Sequence, residues 1–361
     1  MPKESRFVES LKGGLRAIST PVLATIVGLL VGMVCIVVAG KDPVKAAEAF
    51  VRAVAGEPRM FGETLVSTIP LIFTGLAVAF AYRCGLFNIG VEGQYLMAQI
   101  AAVLVGVYWT PPAGLTWLHP LLTLAAAALA GALWAGIVGV LKAYRGIHEV
   151  INSIMLNYVG LFMADWLLKY YLRPDNSRAA SYDLQESAWL SQGLIEGSRL
   201  HTGLWIALGA AVVVWFILFK TTLGYEIRAV GTSPGAAEYG GISVARSIIL
   251  AMAISGALSG LAGGVQTMAI NHRFNETSSF VNYGFDGIAV ALVGRLHPAG
   301  VVLAALLFGA LDRSGPMMQA MADVPKAVIW IVQGSVIFFV AAEGLWDFLK
   351  KRRAKKEVKT A

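Results

Sequence analysis

TTLGYEIRAVGTSPGAAEYGGISVAR, residues 221–246, is a polar, Gly-rich island between two apolar runs, Leu204–Phe219 and Ser247–Ile270, that read as membrane-spanning helices. Lipid offers no hydrogen-bond partners to Glu226, Arg228, Glu238 or to irregular backbone, so the island must leave the bilayer. Inside it, Ser233 is placed to cap a short helix, Pro234 suits the first helical turn, and Gly240-Gly241 ends it. A membrane domain that presents one short capped helix on one side has the shape of a mechanical contact with a partner. The plain alternative is an ordinary loop between two membrane helices.

Composition agrees with the membrane reading. Hydrophobic residues make up 57% of 361 and charged residues 14%, with a mean hydropathy of +0.67. Soluble domains carry about a quarter charged residues. The apolar residues fall in long runs and not in amphipathic periods, which predicts an all-α polytopic membrane protein. Cys35 and Cys84 lie in or beside apolar runs and have no metal spacing.

The net charge of +7 is concentrated at the ends, in Lys3, Arg6, Lys12 and Arg16 and in the cluster Lys350-Lys351-Arg352-Arg353. Juxtamembrane Lys and Arg stay in the cytoplasm, so residues 1–20 and the basic tail 348–361 are both expected inside, flanking a transmembrane domain over 21–347. Pro21–Gly40 has no convincing cleavage site and reads as a retained first helix. Further spans are expected at Phe61–Tyr82, Phe87–Trp109, His119–Leu141 and Val150–Tyr170, then on both sides of the 221–246 loop, at the apolar piece Gly300–Leu311, and lastly at Val324–Leu345. Residues 172–200 form the largest external piece, suited to a lid or a receptor contact. Gly256, Gly260 and Gly264 at four-residue spacing suit close helix packing.

Parity requires one more crossing, supplied by the short apolar stretch around Phe285–Val293, and the count becomes about ten with both ends inside. Two stretches echo each other: FNIGVEGQ (87–94) after the second span and FDGIAVAL (285–292) after the seventh. Each introduces a Gly-interrupted segment at a corresponding place in its half, a pattern that points to inverted repeats around a transport pathway.

The chemistry carried by these spans is sparse. No G-x-x-x-x-G-K-[ST] loop or H-E-x-x-H motif occurs, so this chain is not expected to hydrolyse ATP itself and an intramembrane enzyme is the weaker class. Polar groups stand out in apolar surroundings at Asn88, Glu92, Gln94, Asn152, Asn157 and Asp286, with Phe285 beside the last. Amides can bind a ribose or base without the cost of a buried charge, and an aromatic ring can stack on one. The same amides serve equally as interhelical bonds. Glu92 and Asp286, at the two breaks, would either receive the exposed N–H groups of a half-helix or touch substrate.

Four stretches, CGLFNIGVEGQ (84–94), IHEVINSIMLNYVG (147–160), GYEIRAVGTSPGAAEYGGI (224–242) and GFDGIAVALVGRLHPAG (284–300), resemble in order the signatures of ABC-importer permeases serving branched-chain amino acids, simple sugars and purine nucleosides. NIGVEGQ and EVINSIMLNY are most similar to the nucleoside branch. The resemblance implies a bacterial cytoplasmic-membrane permease, working by alternating access as a heterodimer with a second permease. It also implies a cytoplasmic ATPase that binds ATP and Mg, an external substrate-binding lipoprotein, and no cofactor on this chain. By the same likeness Ala236, Ala237, Glu238, Tyr239 and Gly241 form the surface that docks on the ATPase. A sugar or amino acid permease and a carrier that needs no ATPase are the competing readings.

Overall fold

The computed structural model describes residues 25–174 and 179–341. The expected N-terminal segment 1–20 and the basic tail 348–361 lie outside them. The described chain is helical, joined by turns and one long ordered connection. It divides into two compact units, 57–310 and a second made of the described parts of 1–56 and 311–361.

In the larger unit, α3 (Pro58–Tyr82) starts with Pro58 in its first turn and is buried on all sides, as an all-round apolar helix must be. Pro70 removes a backbone donor within it, and the Thr74 hydroxyl donates to the Pro70 carbonyl at 3.0 Å. α4 (Val91–Tyr108) begins only after a non-helical stretch, 83–90, so the third span starts later than its apolar run. α5 (Leu118–Arg145) turns at Gly146 (φ +66°) into α6 (Glu149–Leu167), and Lys142 pairs with Glu149 across that corner at 2.8 Å.

α7 (Gly203–Lys220) leads into α8 (Thr222–Thr232) and the short α9 (Pro234–Tyr239). α10 (Val244–Gln266) returns through the core and continues as a π-turn, Thr267–Asn271. It meets α5 backbone to backbone: a Cβ on Gly256 would lie 2.2 Å from the Gly131 carbonyl oxygen, and one on Gly260 would lie 2.3 Å from that of Ala127. The four-residue glycine spacing is therefore a packing seam. α11 (Tyr283–Val293) lies on α3, where Gly287 faces Thr74. α12 (Pro298–Ala322) follows a tight turn in which Arg295 and Leu296 both take left-handed conformations (φ +52° and +56°).

In the smaller unit, α1 (Thr25–Val38) and α13 (Lys326–Ala341) pack antiparallel, with Gly28 against Val336 and Gly32 against Val332. The charged connection after the first span holds a helix of its own, α2 (Pro43–Ala55), capped by Asp42, whose carboxylate accepts the Val44 N–H at 2.9 Å. The Lys41 ammonium bonds the Asp323 carboxylate.

Among the described residues, seven helices are long and apolar enough to cross a membrane, and Thr25–Val38, Tyr283–Val293 and Ala327–Phe339 are shorter apolar helices.

Candidate functional site

The two Gly-interrupted stretches are brought together. Glu92, in the first turn of α4, is fully buried, and its carboxylate accepts the Asn282 N–H at 2.8 Å and the Gly284 N–H at 2.6 Å. These belong to the entry into α11, whose first turn has donors without intrahelical partners. Asn282 itself sits at φ +75°, and a Cβ on Gly284 would fall 2.5 Å from the Glu92 nitrogen. Two helix N-termini thus converge on one carboxylate, which balances the positive ends of both dipoles. Sequence spacing alone could not pair residues 190 positions apart.

The amides around the first break serve the chain itself. Asn88 and Gln94 exchange two side-chain hydrogen bonds (3.0 and 3.1 Å), Asn88 donates to the Ser255 hydroxyl at 2.8 Å, and its oxygen accepts the Gly90 N–H at 3.0 Å. Asn157 accepts the Gly93 N–H at 2.8 Å and donates to the Ile89 carbonyl at 2.9 Å. Ser255 and Ser259 on α10 donate to the carbonyls of Ala77 and Val91, both at 2.6 Å. The non-helical 83–90 stretch is thereby supplied with partners from three helices, which is the condition for irregular backbone at membrane depth.

Asn152 is placed differently: its side-chain nitrogen and the neighbouring Ser153 hydroxyl are buried with no hydrogen-bond partner among the described residues. Phe285 and Asp286 are half-buried in the first turn of α11. Phe285 packs edge-on to Phe280 at 5.7 Å, and Phe280 edge-on to the half-exposed Tyr158 of α6 at 5.2 Å. Tyr158 and Phe280 were not singled out by sequence, because an aromatic residue in an apolar span looks like ordinary core and Phe280 lies in the connection before α11.

At the other site, the Ser233 hydroxyl accepts the Ala236 N–H at 3.4 Å, Pro234 occupies the first turn, and Gly241 ends the helix with φ +81°. Tyr239 is 96% exposed, and Ala236, Glu238 and Gly241 are exposed with it. Ala237, expected on the same docking surface, is placed differently from the other four. At 5% exposure it is the side of α9 that packs on its own chain, since a six-residue helix has one face to anchor it. Beside α9 runs a groove lined by Tyr225, Arg228, Thr232, Ser233 and Gly240.

The long connection between α6 and α7 is ordered over 179–202 as a strap on the helix ends. Gln185 donates its backbone N–H to the Gly106 carbonyl at 2.9 Å and its side-chain amide to Val107 at 2.8 Å, satisfying carbonyls at the end of α4. Leu190 does the same for Met268 at 3.3 Å, His119 meets the Ser187 hydroxyl at 2.8 Å, and Trp189 stacks on His272 at 4.0 Å. Arg199 grips the buried Glu63 of α3 (2.6 Å), and that hydrogen bond raises the arginine's pKa above its ordinary value. Burial lowers the pKa of His201 to about 4, and its Nδ1 accepts the Gly203 N–H at 3.2 Å.

Among the described residues no group of three or more His, Cys, Asp or Glu side chains is placed to hold a metal ion.

Comparison with known proteins gives the class. Residues 60–341 match the family model described as branched-chain amino acid transport system / permease component. The chain is 42% identical over 340 residues to the guanosine ABC transporter permease protein NupP of Bacillus subtilis, covering 93% of this chain and 96% of that one. It is 34% identical over 350 residues to the glucose ABC transporter permease protein TsgB13 of Haloferax volcanii (93% and 90%). A second guanosine permease protein of Bacillus subtilis, NupQ, is 30% identical over 276 residues (73% and 84%).

Proposed function

Because the chain belongs to the branched-chain amino acid transport system permease family and is a multi-pass permease component of an ABC importer, we propose that its substrate is a purine nucleoside. The observation that carries this reading is the end-to-end similarity to a guanosine permease. The Tyr158–Phe280–Phe285 cluster beside the α4–α11 junction supports it, since aromatic faces suit a nucleobase. Asn152, with an unpaired buried donor, suits a ribose or base acceptor.

The permease pairs with a second, related permease, as the two guanosine permease relatives of one organism suggest. A cytoplasmic ATPase, carrying the ATP and Mg, docks on α9 through Ala236, Glu238, Tyr239 and Gly241. An external binding lipoprotein delivers substrate to the strapped face. Ten crossings, the seven long helices plus the three shorter ones, put both termini and α9 in the cytoplasm. The meeting of α4 and α11 at their N-termini supports two inverted halves, with the pathway beside their junction. ATP-driven closure of the ATPase opens the pathway outward, and relaxation after hydrolysis releases substrate inward.

The glucose permease relative favours a sugar as the second reading. Competitive uptake of labelled guanosine, ribose, glucose and leucine, with and without the gene, separates them. Loss of guanosine uptake alone is the expected result; loss confined to a sugar or to leucine would reject the nucleoside.

A further inference from the structure

Two turns that sit far apart in sequence meet α8 at one place. Gly231, near the end of α8, lies against the backbone of the turn after α3: a Cβ there would be 2.2 Å from the Arg83 carbonyl oxygen and 2.9 Å from the Gly85 nitrogen. Gly85 answers with φ +75°, and its own Cβ position is 3.4 Å from the Gly231 Cα. Two glycines therefore let backbone touch backbone, and no side chain cushions the contact.

Phe219, at the end of α7, is the hub of the second contact. The Arg228 guanidinium of α8 lies 5.4 Å from its ring centroid and that of Arg83 5.6 Å, while the His297 ring lies at 5.7 Å. One aromatic ring contacted by two cations offsets part of their mutual repulsion. Arg83 also donates two hydrogen bonds, at 3.2 and 2.9 Å, to the Leu296 carbonyl. That carbonyl is presented by the turn after α11, where Arg295 and Leu296 hold left-handed conformations that cost about 1–2 kcal/mol each for residues with a Cβ. Such backbone persists only where its surroundings over-determine it.

The two broken segments are thus tied at both ends. Arg83 joins them beside α8 through Leu296, and Glu92 joins them at the far end through Asn282 and Gly284. Residues 83–92 and 282–296 form a closed loop, and α8 touches it at Gly231 and through Phe219. We propose that this joint, Gly231 on Gly85 with Arg83 bound to Leu296 over Phe219, transmits displacement of α8 and α9 to the paired broken segments, which move as one body. Gly231, Phe219 and Arg83 are positioning residues: they touch neither ATP nor substrate. The inference rests on docking of the ATPase at α9.

The test uses the whole complex, both permeases with the ATPase, reconstituted with the external binding protein. Gly231→Val, Phe219→Ala, Arg83→Gln and Arg83→Lys are compared with the unaltered chain for ATPase co-purification, basal ATP hydrolysis, its stimulation by guanosine or glucose, and uptake. The joint predicts co-purification and basal hydrolysis within twofold of normal, uptake at least tenfold lower, and loss of stimulation in the first three. Arg83→Lys, which keeps the cation over Phe219 as well as a donor on a long side chain for Leu296, recovers part of both, whereas the shorter, neutral Gln keeps a donor without the charge. Uptake and stimulation within twofold of normal in Gly231→Val and Arg83→Gln would overturn the proposal. If Gly231→Val does not assemble, Gly231→Ala and the Arg83 pair decide, and equal loss in Arg83→Gln and Arg83→Lys together with loss of the assembled complex would reduce the contact to a structural one. Failure of the docking reading shows separately, as Glu238→Arg leaving ATPase co-purification unchanged.

Discussion

The Glu92 carboxylate holds the Gly284 N–H at 2.6 Å across 192 positions of sequence, so the start of α4 and the start of α11 are stitched by one buried acid. The amides of Asn88, Gln94 and Asn157 shape the approach to α4, and α11 is brought down by the Gly287 contact with Thr74.

Glu92→Ala should leave the buried Gly284 donor and the part-buried Asn282 donor unpaired, a loss of about 3 kcal/mol. Glu92→Gln keeps one acceptor and should lose about half as much. Thermal melting of the detergent-purified protein measures both. Equal melting of Glu92→Ala and the unaltered chain would remove the stitch from the account.

The α5–α10 seam has no room for a side chain. Gly260→Val, aimed at the Ala127 carbonyl, should cost about 3 kcal/mol or more and reduce the monodisperse fraction in size-exclusion chromatography. Gly136→Val is the internal control: nothing lies within 4 Å of its Cβ position, so its effect should stay within about 0.5 kcal/mol.

His201 gives the strap a pH dependence with a definite sign. Its pKa falls from 6.5 to about 4 on folding, because burial disfavours the charged ring. The unfolded chain therefore binds the extra proton first, and stability is full above pH 6.5 and lost as pH falls through 4. Between pH 7.5 and pH 5 the loss should be about 2 kcal/mol. Melting of His201→Gln over the same range should lack this slope, and an unchanged slope would point to another group.

Tyr158 and Phe285 flank Phe280 from two different helices. Tyr158→Ala and Phe285→Ala should each raise the apparent KM for guanosine uptake about tenfold, the worth of one aromatic contact of about 1.4 kcal/mol, with a smaller effect on kcat. Unchanged KM in both would place the nucleobase elsewhere.

Much of the architecture was written locally. Runs of apolar residues have no stable alternative to membrane helices, and Ser233-Pro234 with Gly240-Gly241 sets the ends of α9 by capping and backbone freedom alone. The break before α4 was legible for the same reason: Asn88, Gly90, Glu92 and Gly93 are costly in a continuous span. The glycine seam was legible as spacing, though its partner, α5, was not.

By itself, then, the sequence determined that the chain is a helical membrane protein and where one short capped helix stands between two of its spans. Only the tertiary structure decided that Glu92 serves α11, that Arg83 binds Leu296, that residues 179–202 lie as a strap on the helix ends, and that Ala237 faces inward. The physical reason is range. Helix formation, capping and hydropathy are set by neighbours within a turn or two, whereas a buried carboxylate or guanidinium takes whichever backbone group packing delivers, here from 190 to 213 residues away.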